Sequence, residues 1–183
     1  MKSQQPLFEN FFDNFTHSCA AARALLQKAH DQGNLIEGLI LYAALTDAFL
    51  RNMLAIKTGG KVTDSTTVYF GSIALDSDLF RHSSKRWFSE REIFRMALAA
   101  NVVSEDEFQV LNDLYSFRNR IVHRFITSDV SYSDIAPRLI QYEHLYETLY
   151  EKLALIEKQP PASAEQRRTI LEGIMRKINR PIS

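Results

Sequence analysis

The chain has 183 residues, and Lys+Arg and Asp+Glu both number 22, so the formal net charge is zero. That balance excludes a uniformly basic nucleic-acid coat; any nucleic-acid site must be a local patch. A hydrophobic share of 45% lets a core form without cross-links, and a single cysteine, Cys19, excludes a disulfide framework.

In chain order, helical signals dominate. Phe8, Phe11, Phe12 and Phe15 share one stripe, and an alanine-rich run carries this first helix to about Ala29, before a break at Gly33. Leu35 to Lys57 reads as a long second helix, closed by Thr58-Gly59-Gly60. Residues 58 to 88 are the least regular; Thr66 to Phe70 is β-prone but too short and isolated to define a sheet. Ser89-Glu90-Arg91-Glu92 and Ser104-Glu105-Asp106-Glu107 are capping boxes, opening helices to about Ala100 and Arg124. A polar turn over Asp129 to Ser133 leads to a helix from Asp134 to Lys158, with Pro137 tolerable in its first turn. Gln159-Pro160-Pro161 ends it. Ser163-Ala164-Glu165-Gln166, a third capping box, opens a final amphipathic helix to about Asn179. The expected fold is all-α: an up-and-down bundle of four to five main helices over residues 1–158, then a Pro-containing linker and C-terminal helix over 159–183. No run approaches the roughly 18 to 20 apolar residues of a membrane span. The first ten residues carry no apolar stretch of the signal-peptide kind. A soluble cytoplasmic protein is expected.

The informative segment is Arg118-Asn119-Arg120-Ile121-Val122-His123. On a wheel at about 100° per residue with Leu111 at zero, Ile121, Leu114, Phe125, Val122, Tyr115 and Phe108 fall in an apolar arc of about −80° to +60°. Asp113 and Arg120 lie opposite, toward solvent. Arg118 falls at about −20°, inside the apolar arc. A guanidinium there needs an acidic partner, a subunit boundary or a bound anion; Asp47, on the second helix, is the acid proposed. Asn119 sits one turn before His123 on the same face, and a long arginine arm allows the Arg118 and His123 heads to meet near the helix end. With 14 Arg and 5 His, an Arg-x4-His pair arises by chance about 0.4 times. Requiring Asn after the Arg lowers that to about 0.02.

At these residues the chain resembles the HEPN superfamily, whose pattern is Arg, a polar residue (often Asn), then His a few positions later, on a late helix of a bundle. The second helix, with Glu37, Tyr42, Asp47, Leu50 and Arg51, is similar to the long early helix of such domains. The resemblance covers roughly residues 8 to 155. It implies a homodimer in which two motif helices meet and form one composite, metal-independent ribonuclease site. It also implies a toxin or antiphage effector with an antitoxin partner, often a nucleotidyltransferase. One group of relatives carries, two residues past the His, a Tyr that the antitoxin modifies; here that position is Phe125.

The chemistry matches those residue types. RNA supplies its own nucleophile, the 2′-OH, and histidine titrates near neutral pH, so His123 serves as general base or acid. Arg118 offers a fork of donors for the phosphate, and Asn119 orients His123 or the substrate. The product would carry a 2′,3′-cyclic phosphate. Arg120 and Arg124, and a basic, aromatic stretch with Arg81, Lys85, Arg86 and Trp87, are candidate RNA contacts; a solvated loop with Trp87 and Phe88 tucked into the core is the alternative. The C-terminal helix, with Arg167, Arg168 and Arg176 beside Ile170 and Ile174, suits a dimer arm, an antitoxin or RNA contact, or a helix folded onto its own bundle. No metal-ligand spacing or cofactor motif occurs; Gly59-Gly60-Lys61 lacks the Gly and Ser/Thr of a phosphate loop. The competing reading is a non-catalytic HEPN module that binds nucleotide, RNA or a partner protein. A third is a regulatory all-α protein, in which Arg118 pairs with an internal acid and leaves no cleft.

Overall fold

Local signals set most of the helix ends. The computed structural model describes residues 11–58, 88–127, 129–159 and 162–178. Six α-helices follow one another over them: α1 (Phe11–Asp31), α2 (Leu35–Thr58), α3 (Glu90–Ala99), α4 (Glu105–Arg124), α5 (Ile135–Lys158) and α6 (Ala164–Ile178). Short 3-10 turns at Phe125–Thr127 and Tyr132–Asp134 join α4 to α5. Among the described residues there is no strand, and the architecture is an all-α helical bundle. Phe8, the segment 59–87 with its Thr66–Phe70 stretch, and Asn179 lie outside the described residues, as do the side chains of Phe11, Phe12 and Phe15.

All three capping boxes form. The backbone N–H of Ser89 donates to Glu92 (2.8 Å), that of Ser104 to Glu107 (2.6 Å) and that of Ser163 to Gln166 (2.8 Å). Each serine hydroxyl accepts in return from the N–H of its partner, so two otherwise orphaned donors are satisfied at each start. Two helices end alike. At the close of α1, Gly33 N–H donates to His30 and Asn34 N–H to Ala29; at the close of α3, Asn101 N–H donates to Leu98 and Val102 N–H to Ala97. These are Schellman closures, with Gly33 (φ +68°) and Asn101 (φ +51°) in the left-handed region. Lys57 adds a cation at the α3 end, donating to the carbonyls of Ala100 and Asn101. Asn101→Ala is expected to cost about 1 kcal/mol, and Asn101→Gly to be neutral within a few tenths, because only the alanine strains this backbone. Chemical denaturation of the two variants checks this.

The centre of the bundle is α2, which packs on α5, α1, α3, α4 and α6. Its Leu39, Leu50, Met53 and Leu54 are fully buried, in one core cluster with Leu111 and Leu114 of α4 and Leu149 of α5. At Gly38 an added Cβ would stand 3.3 Å from Leu139 Cδ1, so glycine admits α5 close to α2. The expectation that no segment matches a membrane span is corrected. By length and composition Leu35–Thr58 is apolar enough to cross a membrane, and most of it is buried inside the bundle. The C-terminal helix α6 folds onto its own chain, against α3 and α2, and Ile174 is fully buried there.

Candidate functional site

The capping box that starts α3 puts Glu90 at its first helical position. Arg118 of α4 meets it: Nη2 donates to Glu90 Oε2 in a tight ion pair. Asp47, the acid proposed from the sequence, is not Arg118's partner. It accepts instead from Nε of Arg51, one turn along α2, at 2.6 Å. The geometry explains the exchange. Asp47 and Arg51 are neighbours on one helix face, whereas Glu90 comes to Arg118 from a separate helix. Arg51 also donates to the carbonyl of Phe88, which ties the two pairs together next to the start of α3.

The result is a cluster of two carboxylates and two guanidiniums largely withdrawn from the surface. The side chains of Arg118 and Glu90 are 20% and 25% exposed. Burial pushes the Glu90 carboxyl above the usual carboxylate range; Arg118 pulls it down, but Asp47 pushes it further up and the net shift stays upward. Burial likewise raises the Tyr142 phenol, with Arg118 opposing and Glu90 adding. The Arg118 guanidinium also lies 5.1 Å from the centroid of Tyr115, whose ring takes Arg91 at 5.0 Å and meets Phe94 edge-on. Arg118 Nε is buried with no hydrogen-bond partner among the described residues.

The rest of the motif sits apart from this cluster. His123 is exposed, Asn119 is half-buried, and neither hydrogen-bonds to Arg118 or to the other. The expectation that the Arg118 and His123 heads meet at the helix end is therefore corrected for the single chain: Glu90 holds the arginine head. Asn112, on the same polar strip, is spent on the Phe108 carbonyl. Arg120 and Arg124 are exposed, as their wheel positions require. Arg81, Lys85, Arg86 and Trp87 lie outside the described residues.

The buried arc of α4 is also turned from the expected one. Val122, placed inside it by the wheel, is 45% exposed, while Phe117, at about −120°, is 4% exposed. The cause is α5, whose Arg138 covers Phe117. That contact opens onto a cleft of ≈ 460 Å³ between the end of α4 and the start of α5, lined by Phe117, Arg120, Asp129, Asp134, Arg138 and Gln141 among others. Sequence reasoning proposed Arg120 but missed Arg138, because no local pattern joins residues on separate helices. Glu90 was legible only as part of a cap. Among the described residues no three His, Cys, Asp or Glu side chains gather as a metal site.

Fold and site define an all-α bundle with a charged cluster at the root of an Arg-Asn-x3-His helix. No protein-family model, curated protein or solved structure matches the chain.

Proposed function

We propose that the chain is a metal-independent endoribonuclease of the HEPN kind, acting in the cytoplasm as a homodimeric toxin or antiphage effector under the control of an antitoxin. The observation that carries this reading is the end of α4. There His123 and Val122 stand exposed and Asn119 is half-buried one turn behind, while Glu90 fixes Arg118 on the same helix. Arg118 lies five residues before His123, about 7.5 Å along the axis and 140° around it. A second copy bringing the same helix end would set one chain's histidine near the other's arginine. One imidazole then takes the proton of the 2′-OH as its oxygen bonds to phosphorus. The P–O5′ bond breaks, and the second imidazole returns a proton to the leaving oxygen. The arginines neutralise the charge that grows on the phosphorus oxygens.

A second reading has its own observation. Arg118 already has an acid in its own chain, as the regulatory all-α reading expects, and this also suits a non-catalytic module that binds RNA, nucleotide or a protein. One assay separates the two. RNA is digested in EDTA with wild type, Arg118→Ala and His123→Ala, and product ends are mapped. Cleavage to 2′,3′-cyclic phosphate ends by wild type, lost in both variants, is expected. Equal activity in all three proteins, or none in any, rejects the ribonuclease.

A further inference from the structure

The cleft between α4 and α5 holds two cations that, among the described residues, have no anion. Arg120, from the motif, and Arg138, from the first turn of α5, both stack on Phe117, at 5.6 and 5.5 Å from its ring centroid. Two like charges are thus directed at one ring. Among the described residues neither joins an ion pair. Arg138 Nη1 donates to Gln141 Oε1 at 2.8 Å, which steadies its plane and leaves its charge unanswered. The acids of the cleft do not answer it either. Asp134 is committed to Ser131, accepting from its N–H at 2.8 Å and its hydroxyl at 2.6 Å. Those bonds hold its carboxyl below the usual range, and so ionised. Asp129 lines the same space without coming within ion-pair distance of either arginine.

We propose that this cleft is a nucleotide-binding subsite that takes a phosphate of single-stranded RNA between Arg120 and Arg138, outside the Arg118/His123 centre. A guanidinium fork matches phosphate oxygens, and two forks fixed on one aromatic platform are pre-organised for a single anionic group. The carboxylate of Asp129 suits the remainder of a nucleotide, since it can accept from base N–H groups. A volume of ≈ 460 Å³ falls in the usual span of ligand pockets, about 300 to 1,000 Å³. Because Arg120 lies only three residues before His123, a strand seated here continues toward the helix end. The choice of RNA over a free nucleotide rests on the ribonuclease reading; the phosphate site does not.

The test uses the full chain and a fluorescently labelled 2′-O-methyl RNA of about ten nucleotides, which binds but lacks the attacking hydroxyl. Uridine monophosphate and inorganic phosphate are titrated in parallel arms. Arg120→Gln/Arg138→Gln is expected to weaken RNA binding by about tenfold or more. It should also flatten the dependence of log K on log salt by about 0.7, the value for the one RNA phosphate that the variant no longer neutralises. Unchanged affinity and slope overturn the subsite, as does a wild type that binds none of the three probes. Binding of the monophosphate but not the RNA supports the phosphate site and overturns RNA as its source. Both arginines lie outside the core, and a thermal melt confirms that the double variant folds. In the wild type, the Nε–H signals of both arginines should shift on RNA addition, and still signals overturn the proposal without any variant. Failure of the two readings is distinguishable: loss of binding in the cleft variant with no cleavage by wild type rejects the ribonuclease alone. Cleavage that needs His123 but ignores the cleft variant rejects the subsite alone.

Discussion

Replacing His123 with alanine is expected to lower metal-independent RNA cleavage by about a hundredfold to ten-thousandfold, the span of a lost general acid–base group. Unfolding free energy should stay within about 0.5 kcal/mol of wild type, as for surface substitutions that break no network. His123 is exposed and makes no hydrogen bond among the described residues, so its removal opens no cavity and strands no charge there. The two readouts must therefore separate. A large activity loss at constant stability is the signature of a residue kept for chemistry. If activity and stability fell together, His123 would be a structural element of the α4 end, and catalysis would have to be sought elsewhere. The pairing of subunits supplies a further check: the proposed site draws one imidazole from each chain, so an excess of His123→Ala chain should pull wild type into heterodimers with a single imidazole and depress activity below the wild-type share of the chains. Activity that stays in proportion to the wild-type chain would argue against a site built from two chains.

What was legible in the sequence follows the range of the forces involved. The starts of α3, α4 and α6 were readable because a capping box spans only four residues, and Ser89, Ser104 and Ser163 each close theirs in the structure. The close of α1 was readable at Gly33 for the same reason, since a left-handed residue ends a helix locally. The wheel of α4 was right about Leu111, Leu114 and Ile121 and wrong about Val122 and Phe117. Periodicity gives the width of an apolar face, but the neighbours fix its exact bearing, and here α5 draws the buried side toward Phe117. The acid that answers Arg118 was the least legible feature. That Arg118 needs a partner followed from its place in the arc. Which acid supplies it depends on how α3 crosses α4, and Glu90 carries no local mark beyond its cap. Asp47 was plausible from its helix face, yet Arg51 four residues on claims it, as i,i+4 pairs do.

The Glu90–Arg118 pair should answer to mutation unevenly. Burial outweighs Arg118 in setting the Glu90 carboxyl, which lies above its ordinary range, so the folded chain tolerates a neutral group there better than a bare carboxylate. Arg118→Met then strands that carboxylate among apolar residues and beside Asp47. Losing one partner of a buried pair costs about 3–5 kcal/mol. With a quarter of the Glu90 side chain exposed, solvent screening brings the expected loss to about 2 kcal/mol at pH 7. Glu90→Gln removes the charge that burial penalises and keeps an acceptor for Arg118, so it should cost less than about 1 kcal/mol. In the double variant no carboxylate is stranded, and most of the Arg118→Met loss should return, a coupling of about 1–2 kcal/mol. The pH dependence has a definite sign. A raised acid stabilises the fold fully below its unfolded value, about 4.3, and loses that contribution as pH rises through the folded value. The Arg118→Met deficit should therefore shrink on acidification through that window, as Glu90 takes up its proton, and the Glu90→Gln background should show no such change. Denaturant titrations of the four proteins at several pH values measure this. Equal losses for both single variants at every pH would mean that the pair is a surface contact without the burial that sets its charge. The double variant then serves catalysis as well: if it folds like wild type and does not cleave RNA, the loss belongs to Arg118 at the phosphate and not to the scaffold that holds it.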